Sequence, residues 1–130
     1  MAVPIRGADW RPEALDPLVR VLEEFRTLDP DLPIQYALSF LTIAQNEGLS
    51  IRDLSERLGI AQSSASRNVA ALSRWHSFGK EGLDLVRAEE DPRERRRKIV
   101  TLTEKGRDMA GRLTDLLHPT PPQRMTLRSA

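Results

Sequence analysis

Two short stretches of helical periodicity, separated by three residues, constrain this chain more than any other feature of its sequence. Ile51, Leu54 and Leu58 recur on one face after Ser50, and Ala65, Val69 and Leu72 recur after Gln62. Apolar residues at such spacing predict amphipathic helices. Only Gly59, Ile60 and Ala61 lie between them, so the chain must turn sharply. Gly59 supplies the left-handed backbone conformation of such a corner. Ile60 can plug the angle, and Ala65 is small enough to let the helices cross closely. Ser50 is placed to cap the first helix, with Asp53 reaching back as in a capping box. The expected unit is a helix-turn-helix over about 51–75.

The surrounding pattern predicts a mainly α fold with a small β-hairpin, that is, a winged helix-turn-helix with helical N- and C-terminal extensions. From Pro12, with Asp9 or Asp16 at its start, a first helix carries Leu15, Leu18, Val19, Leu22 and Phe25 on one face, and Asp29-Pro30-Asp31-Leu32-Pro33 ends it. A second runs from Ile34 to Asn46. Ile34, Ala37, Leu38, Leu41 and Ala44 share a face that Phe40 and Ile43 broaden, so it is expected to be the most buried helix. Residues 76–83 read as a loop. Asp84–Ala88 and Lys98–Leu102 have strand character, offering Leu85, Val86, Ile99 and Val100 for burial, with a charged connector from Glu89 to Arg97. Thr103 is expected to cap a last helix bearing Met109, Leu113 and Leu116. The domain is expected over 11–117, its wing over about 84–102, with a flexible arm at 1–10 and a disordered tail at 118–130.

Composition excludes several classes of function. The 130 residues contain no cysteine, and the two histidines, His76 and His118, stand far apart. Disulfides, thiolate metal sites and a histidine metal site are not expected, nor any cofactor. No phosphate loop, catalytic triad or paired carboxylates can be assembled, so the chain is not expected to be an enzyme. Met1–Trp10 has no secretory pattern, and no apolar run could cross a membrane. A cytoplasmic protein without a membrane partner is expected. Trp10 and Trp75 read as core or interface packing, and His76 as a loop residue.

The second helix of the pair offers Gln62, Ser63, Ser66 and Arg67 on one face, with Ser64 beside them, and no carboxylate occurs from Gln62 to Phe78. Small polar groups permit close approach to a duplex, and Gln and Arg can read base edges bidentately. The hairpin adds Asp91-Pro92-Arg93-Glu94-Arg95-Arg96-Arg97-Lys98, five cations around one internal carboxylate. Arginines there suit a phosphate backbone or the narrow minor groove, with Asp91 and Glu94 as wing support, Glu94 holding Arg96. The net charge is only +1, but residues 1–60 hold 6 basic against 10 acidic side chains and residues 61–130 hold 14 against 9. A cationic face can arise from such a split.

These residues carry a resemblance. Asp91-Pro92-Arg93-Glu94-Arg95-Arg96 followed by Ile99-Val100-Thr101-Leu102-Thr103-Glu104-Lys105-Gly106 resembles the wing and next helix start of the MarR family of winged-helix regulators. Leu54-Ser55-Glu56-Arg57-Leu58-Gly59-Ile60 and Ser66-Arg67 resemble its helix-turn-helix. The resemblance covers about Leu38 to Gly106. It implies a regulator that binds double-stranded DNA, with Gln62, Ser63, Ser66 and Arg67 in the major groove, Arg96 at the minor groove and Arg95 beside it. A repressor that occupies a palindromic site as a homodimer is expected, since occlusion needs only binding. The chain departs from the family in four ways. Glu94 replaces the usual aspartate, and Ala61 stands where a capping serine is common. Extra residues lie around 75–83, and Pro119, Pro121 and Pro122 abbreviate the C-terminal helices. Two other readings stay open: a DNA-binding accessory factor in replication, partition or phage control, and a winged helix used as a protein-interaction module.

Overall fold

A 3-10 turn, Pro12–Leu15, leads into α1 (Asp16–Leu28), followed by α2 (Ile34–Gln45), β1 (Leu49–Ser50), α3 (Ile51–Leu58), α4 (Gln62–Leu72), β2 (Val86–Asp91), β3 (Glu94–Leu102) and α5 (Glu104–Leu117). The structure is a computed structural model that describes residues 9–74 and 81–119. The readings made at 1–8, 75–80 and 120–130, which include Trp75, His76 and most of the arm and tail, lie outside the described residues. The strands form an antiparallel sheet in the order β1-β3-β2. This is the expected mainly helical architecture with a hairpin wing.

The core forms where α2, α3, α4 and α5 close on the base of the sheet. Phe40, Ile43, Leu54, Leu72, Leu85, Val86, Val100 and Met109 are almost completely buried there. Phe25 of α1 meets Phe40 edge to face, with centroids 6.1 Å apart and planes at 79°, the arrangement favoured by ring quadrupoles.

Both N-terminal helices bury only part of the apolar face expected: Phe25, Ala37, Phe40 and Ile43 are buried, and the rest of that face is not. On α1, Val21 and Phe25 are buried, whereas Leu18, Val19 and Leu22, with Leu15 of the preceding turn, are 53%, 50%, 48% and 47% exposed. On α2, Ala37, Ser39, Phe40 and Ile43 point inward, leaving Ile34, Leu38 and Leu41 exposed, so α2 is not the fully covered helix its composition suggested. Each helix has apolar residues over more of its circumference than one core can cover, and periodicity cannot choose between the flanks. Docking chooses: α1 lies against α5, where Glu24 accepts from Arg112 Nε at 3.1 Å. Trp10 is also exposed and is not a core residue.

The wing also departs from expectation, because Glu89–Arg97 is not a loose connector. Cross-strand pairing runs from Val86↔Leu102 to Glu90↔Lys98, and only Pro92 and Arg93 form the turn. Ile99 is half-buried, while Leu85, Val86 and Val100 are buried as expected. A further strand, β1, places Leu49 opposite Val100 and Ser50 opposite Ile99. Glu47 reinforces this junction, accepting from Leu102 N and Arg107 Nη2, each at 2.9 Å.

Residues 82–85 lie along the end of α4 and donate to its last two carbonyls and to the two that follow it. Gly82, Leu83, Asp84 and Leu85 bond to Arg74, Ala71, Ser73 and Leu72 oxygens at 2.7, 3.1, 3.1 and 2.7 Å. Groups that a helix end leaves unpaired are thereby satisfied. A Cβ at Gly82 would lie 2.0 Å from the Ser73 oxygen, so this close approach requires glycine. Thr103 joins the same segment to α5. Its hydroxyl donates to Asp84 O at 2.7 Å and accepts from Gly106 N at 3.0 Å, the expected helix cap.

Candidate nucleic-acid interface

The helix-turn-helix starts where Ser50 ends β1. Its extended backbone places the side-chain oxygen 3.0 Å from Asp53 N, which donates to it. Only this half of the capping box forms among the described residues. After Leu58 the backbone takes the left-handed conformation at Gly59, φ 68° and ψ 36°, and Ile60 N returns to Ser55 O at 3.0 Å. That bond ends α3 and aims the chain into α4. Ile60 packs against the core as a plug.

Ala61 provides α4 with no side-chain cap, but its carbonyl accepts from Ser64 N and Ala65 N, both at 3.0 Å. Ala65, Asn68, Val69, Ala71 and Leu72 form the buried side of α4. Gln62, Ser63, Ser66 and Arg67 are consequently exposed together, and Ser64 is half-buried on the flank. The spacing of this helix therefore sorts its residues as its sequence suggested.

In the wing, Asp91 organises the turn. Its Oδ1 accepts from Arg93 N at 2.9 Å and its Oδ2 lies 3.4 Å from Arg97 Nε. The wing's ion pair thus joins Arg97 to Asp91, not Arg96 to Glu94 as expected. Pairing skips from Glu90↔Lys98 to Asp91↔Glu94, so Arg95, Arg96 and Arg97 occupy an irregularity in β3. Such bulges re-aim side chains at a sheet's rim. Arg93, Arg95, Arg96 and Arg97 are all exposed.

A groove of ≈ 420 Å³ runs between α4 and the wing. Gln62 and Ser66 line it from one side and Arg96, Arg97 and Lys98 from the other, with Arg52 of α3 at its edge and Glu94 its one carboxylate. Ser63, Ser64 and Arg67 lie outside this lining on α4, as do Arg93 and Arg95 on the wing. Lys98 belongs to the cationic hairpin segment read from sequence, whereas nothing in the sequence points to Arg52. The β1–β3 pairing brings the start of α3, and with it Arg52, beside the wing, and β1 is too short to leave a pattern. Arg52 pairs with Glu56 at 3.4 Å while both remain exposed, an arrangement weak enough in water to exchange for another anion.

Residues 41–74 match a family model described as winged helix-turn-helix DNA-binding. The fold is similar to that of S. aureus MepR in a DNA complex, with TM-score 0.62 and 18% identity over 90% of this chain and 86% of that one. It is similar to Streptococcus pneumoniae FabT in complex with DNA, with TM-score 0.53 and 15% identity over 90% and 84%. It also resembles MarR, with TM-score 0.51 and 20% identity over 97% and 89%. A comparison with curated protein sequences gives no match. No helix among the described residues is long and apolar enough to cross a membrane. The chain has a winged helix-turn-helix fold similar to that of the MarR-type proteins.

Proposed function

We propose that this protein is a transcription regulator that binds a specific double-stranded DNA sequence as a homodimer and represses by occupying it. The observation that carries the reading is the shared groove: Gln62 and Ser66 of α4 face Arg96, Arg97 and Lys98 of the wing across one concave surface. Gln62, Ser63, Ser64, Ser66 and Arg67 enter the major groove, where short polar side chains allow close approach and Gln and Arg read base edges. Arg93, Arg95, Arg96 and Arg97 follow the phosphates and the minor groove, with Asp91 holding the turn and Arg97. The solved complexes of MepR and FabT with DNA are consistent with this use of the fold.

Two copies are needed for a palindromic site, with recognition helices about 34–36 Å apart. Leu15 of the 3-10 turn, Leu18, Val19 and Leu22 on α1 and Leu117 at the end of α5 are about half exposed in the single chain. A self-complementary contact would cover such a surface. Repression follows from occupancy alone, since bound protein excludes polymerase from the same duplex.

The test is selection of bound fragments from random duplex DNA, followed by gel shift. Enrichment of a two-fold symmetric sequence is the expected result. Affinity for it should fall roughly 10³–10⁵-fold between 50 and 200 mM salt if about six to ten phosphates are neutralised. No enrichment together with a flat salt response would overturn the proposal and favour a protein-binding winged helix.

A further inference from the structure

Helix α4 carries one polar side chain in the middle of its packed face. Asn68 is 5% exposed, among Ala65, Val69 and Leu72. Its Nδ2 donates to Ser39 Oγ of α2 at 3.0 Å and lies 3.4 Å from Gln35 Oε1, a second acceptor. Ser39 is itself completely buried. An apolar pair here would bury more hydrophobic surface and strip no amide of water, so packing alone does not call for a carboxamide.

What the amide adds is direction. Apolar contacts are non-directional and let a helix roll slightly about its axis, whereas a hydrogen bond in a low-dielectric interior does not. At about 100° per residue, Gln62, Ser63, Ser66 and Arg67 span an arc of about 140°, and Asn68 lies about 170° from its middle. The bond therefore grips α4 from directly behind its exposed polar face. On a helix of about 5–6 Å outer radius, a roll of about 20° would carry a side-chain tip through about 2 Å. Hydrogen bonds to base edges do not survive such a shift.

We infer that Asn68 is a positioning residue for sequence reading: its bond to Ser39 sets the roll of α4 against α2 and so decides which exposed side chains of α4 reach base edges. The inference rests on the duplex-binding reading above. Asn68 touches no nucleic acid itself; it acts through Gln62, Ser66 and their neighbours.

A double-mutant cycle of Asn68→Leu, Ser39→Ala and the pair together tests it. The probes are the duplex that the parent protein enriches from a random pool and a scrambled duplex of the same composition. The double variant replaces both partners with apolar groups and is expected to melt no lower than the parent. Its preference for the selected duplex should fall about tenfold, the scale of losing one base contact. Its affinity for the scrambled duplex and its salt slope should be unchanged, because phosphate contacts carry no sequence information. Ser39→Ala alone removes the shorter bond and leaves the 3.4 Å contact with Gln35, so it should lose a smaller but measurable part of the preference, at least about threefold. This milder variant decides the question if the double variant does not fold.

A preference within about twofold of the parent in folded variants would overturn the inference. So would a loss that merely follows melting temperature across the cycle, which would make Asn68 a packing group only. A parent protein that enriches no duplex would overturn the DNA-binding reading and this inference together. An enriching parent with a flat cycle would overturn this inference alone.

Discussion

Ser50 stands opposite Ile99 in the β1–β3 pairing, so the residue that caps the helix-turn-helix is also bound into the base of the wing. One serine thus ties together the two halves of the proposed DNA grip. Its hydroxyl holds Asp53 N at 3.0 Å, its backbone belongs to the sheet, and it is 3% exposed. Ser50→Ala should lower unfolding free energy by about 1 kcal/mol, the usual value of an N-cap. Denaturant titration checks it, and an unchanged midpoint would mean that the cap contributes nothing here.

Ala61→Ser should act in the opposite direction. The first turn of α4 has no side-chain acceptor, and Ala61 already has the extended backbone of a cap residue, φ −65° and ψ 149°. Adding a hydroxyl should stabilise the fold by about 0.5–2 kcal/mol. A higher melting temperature is the expected outcome, and an equal or lower one would show that this turn cannot use a cap.

Gly106→Ala should be costly although glycine is normally unfavourable within a helix. A Cβ there would lie 2.0 Å from the Leu85 carbonyl oxygen. That oxygen also accepts from Thr103 N at 3.0 Å, so it cannot retreat without loosening the start of α5. Overpacking of this kind costs about 1–3 kcal/mol, outweighing the roughly 1 kcal/mol that alanine gains in a helix. A stabilised variant would contradict the contact.

Leu18→Glu and Leu22→Glu separate association from folding. Both positions are about half exposed in the single chain, so the fold should survive while a dimer built on α1 dissociates. Sedimentation should show monomer with unchanged helical circular dichroism, and gel-shift affinity for a two-fold site should fall. Retention of dimer mass would place the contact elsewhere.

Arg67→Ala and Arg96→Ala should weaken binding differently. Loss of a base-reading arginine should cost about 1–3 kcal/mol and relax selectivity at one position, whereas loss of a phosphate contact should weaken all duplexes alike and lower the salt slope by about 1. Arg67, on the exposed face of α4, should follow the first pattern. Arg96 should follow the second if it lies along phosphates; a position-specific loss would instead indicate minor-groove reading. Unchanged binding in both variants would remove these residues from the interface.

Most of the local structure was legible before any coordinates. The glycine corner at Gly59, the caps at Ser50 and Thr103, and the outward face of Gln62, Ser63, Ser66 and Arg67 each depend on neighbours within one helical turn. Such features follow from residue type and spacing alone. The hairpin was equally visible in Asp91-Pro92-Arg93, although its pairing reaches further toward the tip than charge suggested.

The sequence by itself determined these elements, their order and the polar character of the α4 face. Tertiary structure decided which flank of α1 and α2 is buried, because both flanks are apolar and only docking against α5 and α4 selects one. It also decided that β1 joins the wing, through two residues too few to show a period, and that Arg52 and Lys98 share a groove with Gln62. The bond between Asn68 and Ser39 spans 29 positions and is invisible to any local pattern. Helical order comes from neighbours in sequence, whereas the roll of one helix on another comes from partners that only the folded chain brings together.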